Sequence, residues 1–307
     1  MNSLQNPPKL SVPCKICGRN YFSYIGRPRY NPDFPRCKEN DYRILQCQYC
    51  RYYFVFPEID LTREEWQKLY ASNYFNACHK TRWHEQLRQK ERVERLKLIL
   101  KHLNVPRGRF LDMGCGEGLV LDQASALGFE TYGLDIVNNL SPCHGTQSQF
   151  YWGDIFQAQF PDDYFSAIYM DSVLEHLTNP LETINELKRV LRPGGVLLIV
   201  VPNEDSLEND VKKLAYRIVS ESDTYGRIKP FYSPFHIQGF TTRTIKVVCR
   251  MCGLRLLELR EFGGKYTFWK DERFGTKAFW SGLVLNLIGL VSIINQRQIQ
   301  LLILASK

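Results

Sequence analysis

The chain has 307 residues, 44% of them hydrophobic, and a net charge of +8 at pH 7. This length exceeds that of one typical domain, and the apolar content is enough for a sizeable core. The chain can therefore form two domains, and a single small domain is excluded. Residues 1–12 lack the continuous apolar core of a secretory signal, and we therefore expect a cytoplasmic protein.

The positive charge is concentrated in the N-terminal third. Residues 1–109 contain 21 Lys and Arg against 10 Asp and Glu, a net charge of +11, whereas the remainder has a net charge of −3. The character of the chain therefore changes near residue 109. The predicted organisation is a small domain over 1–60, a helical linker over 61–104 and an α/β domain over 105–307.

Two C-x2-C pairs stand 29 residues apart near the N-terminus: Cys14 with Cys17, and Cys47 with Cys50. Pairs of this form place four thiolates within tetrahedral reach of one zinc ion, with a loop of free length between them. Disulfides, which are unusual in a cytosolic protein, and unrelated buried thiols are the alternatives. The spacing favours a structural zinc site in a zinc-ribbon-like segment.

The linker combines an aromatic segment with a long helix. Tyr70, Tyr74 and Phe75 precede an amphipathic helix predicted from about Thr81 to Leu103. Its apolar residues recur at helical spacing in the second half, with Arg and Lys on the other face. Packing on the edge of a sheet accounts for this pattern, and no role in a functional site is expected of its charges.

The α/β domain begins with an apolar run that ends in Asp112. Glycine then occupies every second position, at Gly114, Gly116 and Gly118, before a predicted helix from Leu119 to Leu127. A glycine-rich turn between strand and helix lets a ligand lie against bare backbone amides. Because a carboxylate at the strand end suits a cationic amino-acid ligand and would repel a pyrophosphate, the pattern favours a methyl donor over a dinucleotide.

Further strands follow in regular order. One of them ends in Asp135, about 20 residues after the glycines. A carboxylate at this position typically accepts hydrogen bonds from the hydroxyl pair of a ribose. The predicted strands after the glycine turn lie within 130–135, 150–155 and 164–170, and residues 191–201 form a turn followed by a fifth strand whose apolar sequence is that of a strand buried on both faces.

These motifs, in this order, resemble the class I S-adenosylmethionine-dependent methyltransferases over roughly residues 101–307. The resemblance implies a Rossmann-like seven-stranded sheet and S-adenosylmethionine as cofactor, with Asp154 on the adenine amine. Taken singly, acids after strands also serve as helix or turn caps. The donor-binding residues that the resemblance implies are Asp112, Gly114, Cys115, Gly116, Gly118, Asp135, Ile136, Asp154, Ile155, Asp171 and Val173.

The chain has two C-x2-C pairs, which we call the cysteine knuckles, then a Tyr-x-x-x-Tyr-Phe segment, then the α/β domain. This order is similar to that of bacterial methyltransferases of sugar and surface-polysaccharide biosynthesis. In those relatives the segment around Tyr70 closes over the donor. The resemblance implies a small hydroxylated acceptor such as a sugar, nucleotide sugar or glycan precursor. Residues 202–241, which contain tyrosines, cations and His236, are the expected substrate-recognition insertion.

Two histidines are candidate bases for a hydroxyl acceptor. His176 follows the fourth strand of the core, and His236 lies in the insertion. A histidine titrates near neutrality and can take a proton during the reaction. Donor-pocket support for His176, and capping or packing for His236, are the alternatives.

Two other classes of function compete with a small-molecule methyltransferase. The basic N-terminal region with its knuckles also suits an RNA methyltransferase. However, Asp171 is followed by Ser-Val-Leu and not by the Pro-Pro-aromatic segment of enzymes that methylate base amino groups. A non-catalytic scaffold that binds the donor is the third class.

Two features of the C-terminal part remain. A third C-x-x-C, Cys249 with Cys252, lies near the end of a predicted helix, and we expect both thiols in the core. The apolar segment Phe279–Ile294 falls short of the ~20 residues that span a bilayer. We expect a helix that is either buried or in peripheral contact with a membrane surface, followed by a final strand. The oligomeric state is not indicated by the sequence.

Overall fold

The computed structural model describes residues 12–28, 41–72, 82–140, 148–219, 224–225, 228, 230, 235–263 and 275–307. Tyr74 and Phe75 of the predicted aromatic segment lie outside these ranges. The chain divides into two compact units. The first contains residues 1–58, 201–247 and 259–302, and the second contains 59–200, 248–258 and 303–307.

Seven helices and twelve strands occur within the described ranges. The helices are α1 Arg63–Ser72, α2 Arg82–His102, α3 Leu119–Ala126, α4 Pro180–Val190, α5 Leu207–Val219, α6 Thr242–Cys252 and α7 Lys277–Ile294. The strands are β1 Phe22–Pro28, β2 Arg43–Cys47, β3 Tyr53–Phe56, β4 Arg109–Met113, β5 Glu130–Asp135, β6 Gln149–Trp152, β7 Phe165–Asp171, β8 Leu191–Pro202, β9 Thr224–Tyr225, β10 Gln238–Gly239, β11 Arg255–Phe262 and β12 Gln300–Ser306.

The predicted Rossmann-like sheet is confirmed. Seven strands lie in the order β11-β12-β8-β7-β4-β5-β6, and the pairs from β8 to β6 are parallel. β7 and β8 are buried along most of their length, which explains their continuous apolar sequences. The chain runs outward from β4 through β5 to β6 and then returns to β7 on the other side of β4. The strand order thus reverses between β4 and β7, and ligands of open α/β sheets bind at the carboxyl ends of the strands at such a point.

The first unit contains a five-stranded sheet in the order β10-β3-β2-β1-β9. β1, β2 and β3 form an antiparallel meander, and β10 pairs with β3 so that Gln238 lies opposite Phe54. The buried ring of Tyr52 packs 5.7 Å from that of Phe240. Residues 201–247 therefore belong to the same compact unit as the cysteine knuckles. The sequence instead suggests that 202–241 is an insertion in the α/β domain. The predicted domain boundaries stay a proposal.

Among the helices within the described ranges, none combines the length and the apolar character that a bilayer-spanning segment requires.

Candidate active site

The glycine turn after β4 requires residues without a side chain. Gly114, Gly116 and Gly118 all have positive φ angles, of 80°, 50° and 80°. At Gly114 a Cβ would lie 2.3 Å from Cγ2 of Val173, which follows β7. The amide of Gly114 donates to the carbonyl oxygen of Leu134 at 2.7 Å, which ties the turn to β5. The turn is thus held between two strands, with Gly114 exposed and Gly116 and Gly118 buried.

Asp135, at the end of β5, holds the same turn with its carboxylate. Oδ2 accepts the amide of Gly116 at 2.9 Å, and Oδ1 accepts the amide of Val137 at 3.2 Å. Burial raises the pKa of Asp135, although these hydrogen bonds act in the opposite direction. Each carboxylate oxygen keeps acceptor capacity, because an ionised carboxylate offers about four lone-pair sites.

Asp112 is the most deeply buried of the strand-end acids, with 3% of its surface exposed. Burial raises the pKa of Asp112 well above its usual range, and the charges of Asp171 and Asp135 add to the effect. Three carboxylates at neighbouring strand ends form a set that a cation would stabilise. The amino-acid and sulfonium charges of S-adenosylmethionine fit this requirement.

Asp171, at the end of β7, is fixed by neighbours that the sequence pattern does not reveal. Arg95 of α2 forms an ion pair with Oδ2 and donates to the hydroxyl of Tyr169 at 3.0 Å. That hydroxyl donates to Asp171 at 3.2 Å, and Ser172 donates to Oδ1 at 3.0 Å. Arg95 is 6% exposed and departs from the expectation that the charges of α2 have no role in the site.

Asp154 makes the contacts of a turn cap. Its Oδ1 accepts the amide of Gln157 at 2.8 Å, and Oε1 of Gln157 accepts the amide of Asp154 at 3.2 Å. This reciprocal pair satisfies two amides of the turn after β6. The carboxylate remains exposed, whereas the neighbouring Ile155 is buried.

Helix α1 reaches two strand ends. Gln67 donates from Nε2 to the carbonyl oxygen of Ile136, just after β5, at 3.2 Å. One turn further on, the ring of Tyr70 lies 5.7 Å from the imidazole of His176, after β7. Since β5 and β7 flank β4 in the sheet, α1 lies across the end of β4 and its glycine turn. Within the second unit, the site is therefore covered on this side by a helix.

The two candidate histidines belong to different units. His176 closes a short 3₁₀ turn, Leu174–His176, and its side chain is mostly buried with Nε2 4.0 Å from Oε1 of Glu175. His236 is partly buried in the strand segment of the first unit. The adjacent Ile237 accepts the amide of Val55 at 3.2 Å, which anchors this segment to β3.

The four N-terminal cysteines lie together, with all their sulfurs within 4.8 Å of one another. The Sγ atoms of Cys14 and Cys50 are 3.6 Å apart, as are those of Cys17 and Cys47. A tetrahedral zinc site with Zn–S bonds of ~2.3 Å requires sulfurs about 3.8 Å apart. The donor set and its spacing therefore fit a zinc ion.

The two knuckles have the same backbone form. Gly18 donates to the carbonyl oxygen of Cys14 at 2.8 Å, and Arg51 donates to that of Cys47 at 2.9 Å. Both residues adopt a positive φ, of 70° and 63°. Thr244 of α6 donates to the carbonyl oxygen of Cys50 at 2.9 Å, so the second knuckle is also tied to the later part of its unit.

Cys249 and Cys252 are buried, as predicted, near the end of α6. Burial raises the pKa of each thiol to about 11. Both are therefore protonated at neutral pH, in keeping with a core role.

Known proteins resemble the chain at different levels. A family model described as a methyltransferase domain matches residues 83–259. An uncharacterised protein of Methanocaldococcus jannaschii is 30% identical over 156 residues, which cover 50% of this chain and 63% of the relative. A ubiquinone biosynthesis O-methyltransferase of Paraburkholderia phymatum is 24% identical over 55% of this chain and 78% of the relative. The chain thus spans less than two thirds of the archaeal relative.

Solved structures share the fold at low identity. An S-adenosylmethionine-dependent methyltransferase from Archaeoglobus fulgidus gives a TM-score of 0.50 at 21% identity and covers 73% of this chain and 98% of its own. A phosphoethanolamine N-methyltransferase of Haemonchus contortus gives 0.51 at 15% identity over 83% of this chain and 62% of its own. With the family model covering more than half of the chain, this protein belongs to the methyltransferase-domain family and has the class I S-adenosylmethionine-dependent fold.

Proposed function

We propose that this protein transfers the methyl group of S-adenosylmethionine to a hydroxyl group of a small acceptor. The observation that carries the proposal is the glycine turn at the switch point of the sheet, which Asp135 holds open through the amide of Gly116. A glycine turn beside strand-end acids suits a ligand with a ribose and a positive charge. When bound, the donor supplies an electrophilic methyl group.

Each residue of the donor site has a proposed role. Asp135 accepts hydrogen bonds from the ribose, Asp112 stabilises the charged end of the donor, and Asp154 accepts the adenine amine. Asp171 is fixed by Arg95 and keeps negative charge near the sulfonium. The remaining residues line the pocket with backbone or apolar surface: Gly114, Cys115, Gly116, Gly118, Ile136, Ile155 and Val173.

Catalysis rests on alignment and on removal of a proton. A methyl transfer is an in-line displacement, so fixed positions of donor and acceptor supply much of the acceleration. His176, at the end of β7 and beside Glu175, takes the proton of the acceptor hydroxyl, and Glu175 orients the imidazole. His236 is the rival base.

The acceptor class is a sugar, a nucleotide sugar or a glycan precursor. Curated relatives named as O-methyltransferases of ubiquinone biosynthesis support transfer to oxygen on a small molecule. An RNA acceptor is the competing class, because basic residues dominate the N-terminal third. A filter-binding titration with bulk RNA across salt concentrations separates the two, since tight and steeply salt-dependent binding would favour RNA.

The four cysteines hold one structural zinc ion in this proposal. Four thiolates leave no open position for water or substrate, so the metal serves the fold of the first unit and not the chemistry. The 3.6 Å sulfur distances support this assignment.

Donor binding is tested by calorimetry with the variant Asp135→Ala. Loss of a charge-assisted hydrogen bond to the ribose should weaken binding by about 1.5–3 kcal/mol, roughly 10- to 150-fold. Glu94→Ala, which removes an exposed acid from α2 of the same unit, is the matched control and should bind as the wild type does. Equal affinity of wild type and Asp135→Ala would contradict the assignment of the site.

A further inference from the structure

Helix α7 turns seven of its large apolar side chains toward solvent. The exposed large apolar residues of this helix are Trp280, Val284, Leu287, Leu290, Val291, Ile293 and Ile294. Leu287 is 55%, Leu290 60% and Ile294 79% exposed. At about 100° per residue, the exposed set covers roughly half of the helix circumference.

Among the described side chains of α7, the two buried residues are small. Gly289 is buried and Ser292 is 1% exposed, and the Ser292 hydroxyl donates to the carbonyl oxygen of Gly289 at 2.6 Å. A surface helix of a globular protein has the opposite arrangement, with its apolar stripe toward the core. Residues 278–294 contain no charged side chain, so nothing in this sequence breaks the apolar face. Such a face marks an interaction surface.

Charge distinguishes the candidate occupants of this face. The first unit, which contains α7, has 22 Lys and Arg against 13 Asp and Glu, a net charge of +9, whereas the second unit has a net charge of −1. The stretch just before the apolar run, residues 264–277, has a net charge of +2, with Lys265, Lys270, Arg273 and Lys277 against Asp271 and Glu272. A basic body that carries an apolar helix complements an anionic lipid surface.

Charge argues against a second copy of the chain, because two first units, each with a net charge of +9, would repel each other. Area alone does not decide between the occupants, because these seven apolar residues, 43–79% exposed, offer on the order of 600 Å². A stable protein interface buries ~800 Å² on each partner. Insertion into lipid has no such threshold, because binding grows with the apolar area and with attraction to anionic headgroups. RNA would use the positive charge but leave the apolar face exposed.

We propose that α7 docks this protein on the surface of an anionic phospholipid bilayer, with the face formed by Val284, Leu287, Leu290, Val291 and Ile294 immersed among the acyl chains. The helix lies in the plane of the interface and does not cross the bilayer. Lipid binding is measured without donor and without acceptor, so the test does not depend on the donor site.

The test is co-sedimentation of the full chain with vesicles of phosphatidylcholine alone and with 30% phosphatidylglycerol added. The wild type should sediment with the anionic vesicles, and raised salt should weaken its binding. The pair Leu287→Glu with Leu290→Glu should lower the partition coefficient at least tenfold. Met251→Glu, which alters an equally exposed apolar residue on α6, is the matched control and should bind as the wild type does.

Circular dichroism checks that the paired variant is folded, and the milder Leu290→Ser should show a smaller loss of binding in the same direction. A wild type that stays in the supernatant with anionic vesicles overturns the proposal, as does a folded paired variant that binds undiminished. Size-exclusion chromatography with light scattering tests whether a second copy of the chain occupies the face. A wild-type dimer that the paired variant converts to a monomer would assign the face to a second copy and overturn the lipid assignment.

Discussion

The contact between Gly114 and Val173 allows a sharp test of the turn that forms the donor site. In the variant Gly114→Ala, the new methyl group would lie 2.3 Å from Cγ2 of Val173, at a residue with φ of 80°. Two costs therefore combine: the left-handed backbone and the collision. In Val173→Ala the collision disappears, because the nearest remaining atom of residue 173 is Cβ at 3.5 Å.

The magnitudes follow from these two costs. The left-handed conformation costs about 1–2 kcal/mol for alanine, and overpacking costs about 1–3 kcal/mol. Gly114→Ala should thus lower the free energy of unfolding by about 2–5 kcal/mol, and Val173→Ala by about 1 kcal/mol. The double variant should lose only about 2–3 kcal/mol, which leaves a coupling energy of at least about 1 kcal/mol.

The assay is urea unfolding of the four proteins without donor, followed by circular dichroism. Gly128→Ala is the control, since Gly128 has φ of 86° in the same unit but only a 3.7 Å contact with Arg107. It should show the backbone cost alone. Additive losses in the double variant, or a Gly114→Ala no less stable than Gly128→Ala, would refute the reasoning from steric contact.

Three further predictions concern the site and the knuckles. Because the folded-state pKa of Asp112 is raised, the folded protein binds more protons than the unfolded one above about pH 4, and its stability falls as pH rises. Asp112→Asn should match the wild type near pH 4 and be more stable than it at pH 8 in donor-free thermal unfolding, while binding donor less tightly. His176→Gln should lower turnover roughly 100-fold with an unchanged donor dissociation constant, and full turnover of both His176→Gln and His236→Gln across pH 6–9 would exclude both as bases. Elemental analysis should find one zinc per chain, and Cys47→Ser should lose it and lower the melting temperature; metal-free wild type purified under reducing conditions without chelator would contradict the site.

The sequence predicted the elements of the α/β sheet because their signals are local. β5 has the predicted bounds, and α3 begins at the predicted Leu119. The glycines at every second position of the turn indicate positive φ angles, which glycine adopts without steric cost, and the structure has them. The four cysteines of the knuckles meet as their spacing predicted.

Contacts between distant residues could not be read in the same way. Arg95 is one of several basic residues on α2, and nothing in the helical period distinguishes the one that meets Asp171, 76 residues later. The sequence likewise did not decide whether the apolar residues of α7 are buried or exposed, because an apolar helix has the same periodicity in both cases. Pairing of β10 with β3 joins residues about 185 positions apart and leaves no local pattern.

That last pairing governs the order in which the first unit can form. The knuckles and the three strands of the meander leave the ribosome first, but β9 and β10, which cover its two edges, follow more than 160 residues later. At 5–20 residues per second, this delay lasts roughly ten to forty seconds. During that time four thiols and two strand edges stay exposed, and open edges pair readily with other chains. A fragment that ends near residue 60 would keep those edges open permanently, so expression of the N-terminal segment alone should yield aggregated protein even when zinc is supplied.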